Sequence, residues 1–328
     1  MAAEHPLDDF RGLLAGIFEP DETAGDRVAA VFAGQPRSGL AETAEWLARS
    51  SGRAPAVNRP SVALFAGTHG VAANGISARP VQATADMVSA CGTGDAAINH
   101  LAAAGQLGLK VYDLALHLPT GNISAEPAMD ERTCAATMAF GMEAIAGGTD
   151  LILIGSVRST GDETIAAALL SALYGGAPAD WLPEDADAEL TSRRVATVET
   201  ALARHRGHLD DSFDVLCRVG GREFAAMAGC ILAARIERIP VVLDGMMALA
   251  AGAVLAKAHD EALTHCRLAD ASGAAARRAA SRLGLTPLLA PTVSAGEGTA
   301  AAMAVGLMRD AVALHTGFAA HARAARPN

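Results

Sequence analysis

Glu297 stands between Gly296 and Gly298 at the head of an apolar stretch, TVSAGEGTAAAMAVGLM. A carboxylate between two glycines leaves the backbone on both sides free to approach a ligand, which makes it a candidate general base. It could equally cap the helix that follows. Burial would raise its pKa and the helix N-terminus would lower it. A second group, Ser156, Arg158, Ser159 and Thr160, lies in GSVRSTGDETIAAALL, just ahead of a helical stretch whose first N–H groups could hold an anion. Asp162 and Glu163 in that first turn favour simple capping, because they already answer the helix dipole and would repel a phosphate. Thr68 and His69 sit in the glycine-rich GTHGVAANGISARP, either where a ligand approaches or as ordinary hydrogen-bonded loop residues. The segment Gly92-Thr93-Gly94-Asp95-Ala96-Ala97, with Asp113 about twenty residues on, fits a dinucleotide fingerprint. That fingerprint must directly follow a strand, and ATADMVSAC reads as helix, which argues against an NAD-dependent oxidoreductase.

These loops need a scaffold, and the composition limits what it can be. The chain has 328 residues, 51% of them hydrophobic and 19% charged, which is enough to bury a large core and reads as a soluble globular protein. A net charge of −10 without a basic run argues against nucleic acid as a partner. With Lys110 and Lys257 the only lysines, 24 of the 26 basic residues are arginines, so Schiff-base chemistry has almost no candidates and anions would be held by arginine or backbone N–H. No apolar run reaches the roughly 18 residues of a bilayer span, and MAAEHPLDDF has no signal-peptide profile. Five scattered cysteines without a C-x-x-C pair suggest reduced thiols in the cytoplasm and neither a disulfide framework nor a zinc site. His205 and His208 form the one close histidine pair, on what reads as a solvated helix face, so neither a metal nor a cofactor is expected.

Short Val/Ile/Leu runs alternate with longer Ala-rich helical stretches, the βα pattern of a parallel sheet. The expected strands are 61–67, 109–116, 150–155, 240–245, 265–270 and 287–290. Helical stretches are expected over 84–104, 130–146, 164–173, 192–206, 222–237, 246–258, 272–283 and 299–325. Three amphipathic segments without a strand, LDDFRGLLAGI, ETAGDRVAAVFA and GLAETAEWLAR, precede them. The expected fold class is therefore α/β: an open, mostly parallel six-stranded Rossmann-like sheet with helices on both faces. A small helical domain from both chain ends (1–55 and 305–328) would sit beside a large domain (56–304). In such a sheet the ligand lies beyond the carboxyl ends of the strands, where these loops are.

Read in order, VALFAGTHGVAANGIS, GDAAIN, LGLKVYDLAL, CAATMAFGMEAIAGGTDLILIG, VGGREFAAMAGCILAAR, PVVLDG, TPLLA and GEGTAAAMA resemble the nicotinate-nucleotide:dimethylbenzimidazole phosphoribosyltransferase family over roughly residues 40 to 315. The resemblance implies a six-stranded Rossmann-like domain, a small helical domain from both ends and a homodimer. It also implies a reaction in which a benzimidazole nitrogen displaces nicotinate from C1′ of nicotinate mononucleotide, giving α-ribazole phosphate for the lower ligand of cobalamin. The substrates are small molecules. Glu297 matches the family's catalytic base.

The family's loop G-E-M-G-I-G-N-T-T is here GSVRSTGDET, with Ser156 in place of a glutamate. The family's glycine-rich loop has become PEDADAEL, and its nucleotide-binding lysine aligns with Arg194. Where the family has S-x-E-x-G, ADASGAAARR keeps Ser272 and Gly273. In the segment before the base, Ser294 and Ala295 replace an arginine and the leucine that lines the base pocket. On that pocket's other wall stand Arg79 and Met87. Met87 suits packing against an aromatic ring, whereas Arg79 is a polar neighbour or a surface side chain turned away. The implied base-binding set is Thr68, His69, Arg79, Met87 and Ala295. The implied nucleotide- or phosphate-binding set is Ser156, Arg158, Ser159, Thr160, Arg194, Gly296 and Gly298. The leading reading is an active transferase with a rewired nucleotide site. The alternative is a catalytically impaired paralogue that binds a base, a nucleotide or a partner subunit.

Overall fold

The computed structural model describes residues 5–184, 187–289 and 295–324. The apolar runs form β1 (Pro60–Ala66), β2 (Gly108–Asp113), β3 (Leu151–Ser156), β4 (Val241–Leu243) and β5 (Cys266–Leu268). These pair in parallel in the order β2-β1-β3-β4-β5. Among the described residues five strands are found where six were expected. The sixth candidate, 287–290, contributes one bridge between Pro287 and Leu268, after which Leu288 and Leu289 donate to the carbonyls of Leu268 and Ala269. Pro287 has no N–H to give the ladder. Ala290, which was to end that strand, lies outside the described residues, as do Ser294 and the last residue of the helical stretch 299–325.

Three helices precede the sheet: α1 (Asp8–Ala15), α2 (Glu22–Val31) and α3 (Gly39–Ser51). Between β1 and β2 come α4 (Gln82–Thr93) and α5 (Ala97–Gly105), and before β3 comes α6 (Glu131–Met142). The long crossover to β4 holds α7 (Asp162–Tyr174), α8 (Ala188–His205), α9 (Ser212–Val219) and α10 (Arg222–Ile236). Then follow α11 (Gly245–Ala258) before β5, α12 (Gly273–Arg282) and α13 (Thr299–Ala324). The stretch 84–104 is not one helix: Gly94 at φ +91° closes α4 with a left-handed turn, and Asn99 ties α5 back to the Cys91 carbonyl at 2.9 Å. The G-x-G there joins two helices, so it is no dinucleotide turn.

Alternate residues of β1 serve opposite layers, as the two-residue period of a strand requires. Ala63 and Phe65 join Ile152, Ile154 and Leu243 in a core covered by α6, α7, α10 and α11. Val62, Leu64 and Ala66 join Leu151, Leu153 and Val242 in a second core with Cys91, Ile98, Ala300 and Val305, under α4, α5 and the start of α13. A third cluster packs α2, α3 and the later part of α13 through Val28, Phe32, Ala44 and Ala311. Helix α1 lies apart from these three: Phe10 and Leu14 enter the first core, and Arg11 pairs with Asp211 at 2.7 Å. All five cysteines are buried and unpaired. Among the described residues no helix is long and apolar enough to cross a membrane.

With this strand order the chain leaves β1 for one edge through β2 and returns across it to β3. The two directions part at the carboxyl ends of β1 and β3, which is where a crevice opens in a doubly wound sheet.

Candidate active site

The segment leading into α13 rests on that crevice. A Cβ on Gly298 would lie 2.9 Å from Leu64 Cδ2 and 3.3 Å from Val62 Cγ1, and one on Gly155 would lie 3.4 Å from the Gly298 backbone. Two glycines thus let the turn sit directly on β1 and β3. Gly296, Glu297 and Gly298 have φ of +88°, +44° and +79°. For glycine this is free, whereas for Glu297 the left-handed region costs about 1–2 kcal/mol. The turn is held by the Thr299 N–H on the Gly296 carbonyl (3.0 Å) and by the Ala295 N–H on Thr299 Oγ1 (2.8 Å). A strained residue held from both sides by its surroundings points to a functional position.

Glu297 and its glycines line a cavity of about 420 Å³ together with Ser156 and Arg158 after β3, Asp244, Met246 and Met247 after β4, and Asp270, Ser272 and Gly273 after β5. Burial pushes the Glu297 carboxyl up, and the positive charges of Arg158 and Arg79 hold the rise back. Burial also pushes Asp244 up, to about 7; the Ala301 N–H at 2.7 Å works against this, and the charges of Asp270 and Glu297 add to it. Asp270 is buried and accepts from Ser272 Oγ at 3.2 Å. A carboxylate whose pKa is raised by burial, facing a cavity beyond the strand ends, is equipped to remove a proton from a bound ligand.

A smaller pocket of about 230 Å³ adjoins this cavity, sharing Arg158 and Glu163 with it. It lies between the segment after β1, which carries Arg79, and the start of α7, with Ser159 and Arg194 in its wall. Arg194 acts as a strut: its Nε donates to the Ile76 carbonyl at 2.8 Å and its Nη2 lies 3.3 Å from Glu163 Oε2. Thr160 is buried and donates to the Arg79 carbonyl at 3.2 Å, tying the two loops together without lining either space.

The remaining expected residues are not brought into these spaces. Thr68 donates to the Leu116 carbonyl, and His69 is buried with its Nε2 2.6 Å from Glu223 Oε1. Burial works to lower the His69 pKa, but the Glu223 charge and hydrogen bond outweigh it and the net shift is upward. A Cβ on Gly67 or Gly221 would collide with this pair, so both positions must be glycine for it to fit. Met87 sits half-buried on α4 against the second core, one turn before Cys91, and Cys91 is close enough to feel the Glu297 charge. Ala295 is exposed at the lead-in to the turn. Asp244, Asp270 and the two methionines were not singled out from the sequence, although the strand-end rule that marked Ser156 and Arg158 applies equally to PVVLDG and HCRLAD. His205 donates its Nε2–H to the Ile123 carbonyl at 3.0 Å, and among the described residues no three acidic, histidine or cysteine side chains converge as a metal set.

A family model described as phosphoribosyltransferase matches residues 35–325. The nicotinate-nucleotide–dimethylbenzimidazole phosphoribosyltransferase of Rhizobium meliloti (strain 1021) is 49% identical over 337 residues, covering 98% of both chains. The protein of the same name from Rhizobium johnstonii is 51% identical over 331 residues, again covering 98% of each. Among solved structures, the nicotinate-nucleotide–dimethylbenzimidazole phosphoribosyltransferase of Thermus thermophilus superposes with a TM-score of 0.81 at 31% identity, covering 90% of this chain and 96% of its own.

Proposed function

This chain belongs to the nicotinate-nucleotide:dimethylbenzimidazole phosphoribosyltransferase family, and from that membership we propose how its altered site carries out the transfer. It is a phosphoribosyltransferase whose product serves the lower ligand of cobalamin. The donor is nicotinate mononucleotide, and the acceptor is a benzimidazole-type base. The acceptor nitrogen attacks C1′ as the C1′–N bond to the pyridinium breaks. The bonding pair returns to the ring nitrogen, so nicotinate leaves with a neutral ring and needs no acid. The acceptor's N–H proton is then the one that must be taken up, and Glu297 takes it.

The observation that carries this reading is the placement of Glu297. Its carboxylate is held on a strained turn at the switch point, with its pKa raised by burial, and faces a cavity large enough for a substrate. Ser156, Gly296 and Gly298 line the donor's side of that cavity, with Arg158 supplying positive charge. Met87, on the α4 face that also carries Cys91, is our candidate for the wall against the acceptor ring. Replacing the base tests the assignment. Glu297→Gln is expected to lower kcat by about 10²- to 10⁴-fold, the usual worth of a general base, with the KM for nicotinate mononucleotide little changed. Full activity in that variant would remove Glu297 from its role. We further propose a cytoplasmic homodimer. The family resemblance supports the pairing and five unpaired, buried thiols support a reducing compartment; a single-chain mass by light scattering would oppose the dimer.

A further inference from the structure

Among the described residues the Glu297 side chain makes no hydrogen bond or ion pair, so the strained turn beneath it decides where the carboxylate points. The two hydrogen bonds of that turn, from Thr299 to Gly296 and from Ala295 to Thr299, close it on itself and do not fix where it stands over the sheet. Gly298 gives it apolar contact with Leu64 and Val62, and such contact is not directional. Asp244 supplies a directional tie. Its backbone N–H donates to the Ile154 carbonyl at 2.8 Å, one residue past the paired Leu243, so the sheet itself sets its place. Its Oδ2 then accepts the N–H of Ala301, 57 residues away, at 2.7 Å. The first N–H groups of a helix have no carbonyl within the helix to meet. Asp244, only 8% exposed, takes one of those of α13 where water competes little. A carboxyl oxygen can accept this bond with or without a proton on the group.

We propose that Asp244 is a positioning residue for the transfer: through the Ala301 N–H it holds the start of α13, and with it the Glu297 turn, at a fixed distance from the end of β4. The length of the side chain and its acceptor oxygen do this, and its charge does not. The role rests on Glu297 being the base of the transferase, and it names the group that sets that base in place.

Three substitutions separate length from charge. Asp244→Asn keeps the length and an acceptor oxygen and loses the charge. Asp244→Glu keeps the charge and moves the oxygens one methylene further out, into a cavity with room for them. Asp244→Ala removes the acceptor. Because a misplacement of about 1 Å can cost about 10²-fold in rate, Asp244→Glu and Asp244→Ala are expected to lower kcat by about 10- to 100-fold with the KM for nicotinate mononucleotide little changed, whereas Asp244→Asn keeps most of the native kcat. Should Asp244→Ala fail to fold, the comparison of Asp244→Asn with Asp244→Glu decides alone. Amide hydrogen exchange over residues 296–301 reads the same tie without turnover: it is expected to be about tenfold faster in Asp244→Glu and Asp244→Ala than in the native chain and Asp244→Asn. Asp244→Asn as slow in turnover as Asp244→Ala would assign the effect to charge, a raised KM at native kcat would make Asp244 a ligand contact, and native kcat in all three would leave the turn standing without it. Each of these overturns the role. A native chain that makes no product would count against the transferase reading, and the exchange rates would still decide the positioning, with equal rates in all four chains overturning it.

Discussion

At the residue scale the site is a problem of where charge is placed. Glu297, Asp244 and Asp270 converge from three different loops, and the fold keeps this tolerable by burying Asp244 at the start of α13, where the Ala301 N–H accommodates it. Its pKa of about 7 in the folded chain, against an ordinary 3.8, makes stability depend on pH. Below the ordinary value folded and unfolded chains both hold the proton, and this contribution to stability is fully present. As pH rises toward about 7 the unfolded chain has shed the proton and the folded one retains it, so the contribution is lost. Asp244→Asn keeps an acceptor for Ala301 without the titration. Its stability relative to the native chain should improve by about 1–3 kcal/mol between pH 4.5 and pH 8, read from melting curves at each pH. A gap independent of pH would mean that Asp244 ionises freely. Glu297 and Arg158 were legible in the sequence because flanking glycines and a preceding apolar run mark a loop at a strand end. Asp244 and Asp270 carry the same mark, and only a reading that follows every strand to its end finds them.

At the scale of elements, small residues decide how closely the layers approach. Helices α6 and α10 cross where Gly141 faces Ala226 and Gly229 faces Met138, and a Cβ on either glycine would fall 2.0 Å from the opposing carbonyl oxygen. Gly229→Ala should therefore force the helices apart and cost about 1–3 kcal/mol of stability, measured by denaturant unfolding. Gly207→Ala, with nothing within 4 Å of its added carbon, is the control expected to be near neutral. Equal stabilities would contradict the close crossing. The strands were legible because buried parallel strands need unbroken Val/Ile/Leu runs, as in LILIG. The sixth was not legible as a single bridge, because a proline's missing donor weighs more than the apolar character of its neighbours. Helix α9 escaped because it is short and follows the polar ARHRGHLDD, so its start depends on Asp211 capping the Phe213 and Asp214 N–H groups, a contact that composition hides.

At the scale of the whole molecule, the strand order brings together groups that lie far apart in the chain: Arg79, Arg158, Asp244, Asp270 and Glu297 meet because β1, β3, β4 and β5 end on one side. That convergence also explains how a family scaffold survives large changes in its loops. The sheet and its two cores depend on apolar periodicity, whereas the loops at the strand ends can exchange residues without disturbing that packing. The rebuilt site should still transfer the phosphoribosyl group. Incubation of the purified chain with nicotinate mononucleotide and dimethylbenzimidazole, followed by mass spectrometry, tests it most directly. α-Ribazole phosphate and free nicotinate are expected in equal amounts, growing with time and enzyme. Nicotinate mononucleotide recovered intact, with no product above the protein-free control, would contradict it.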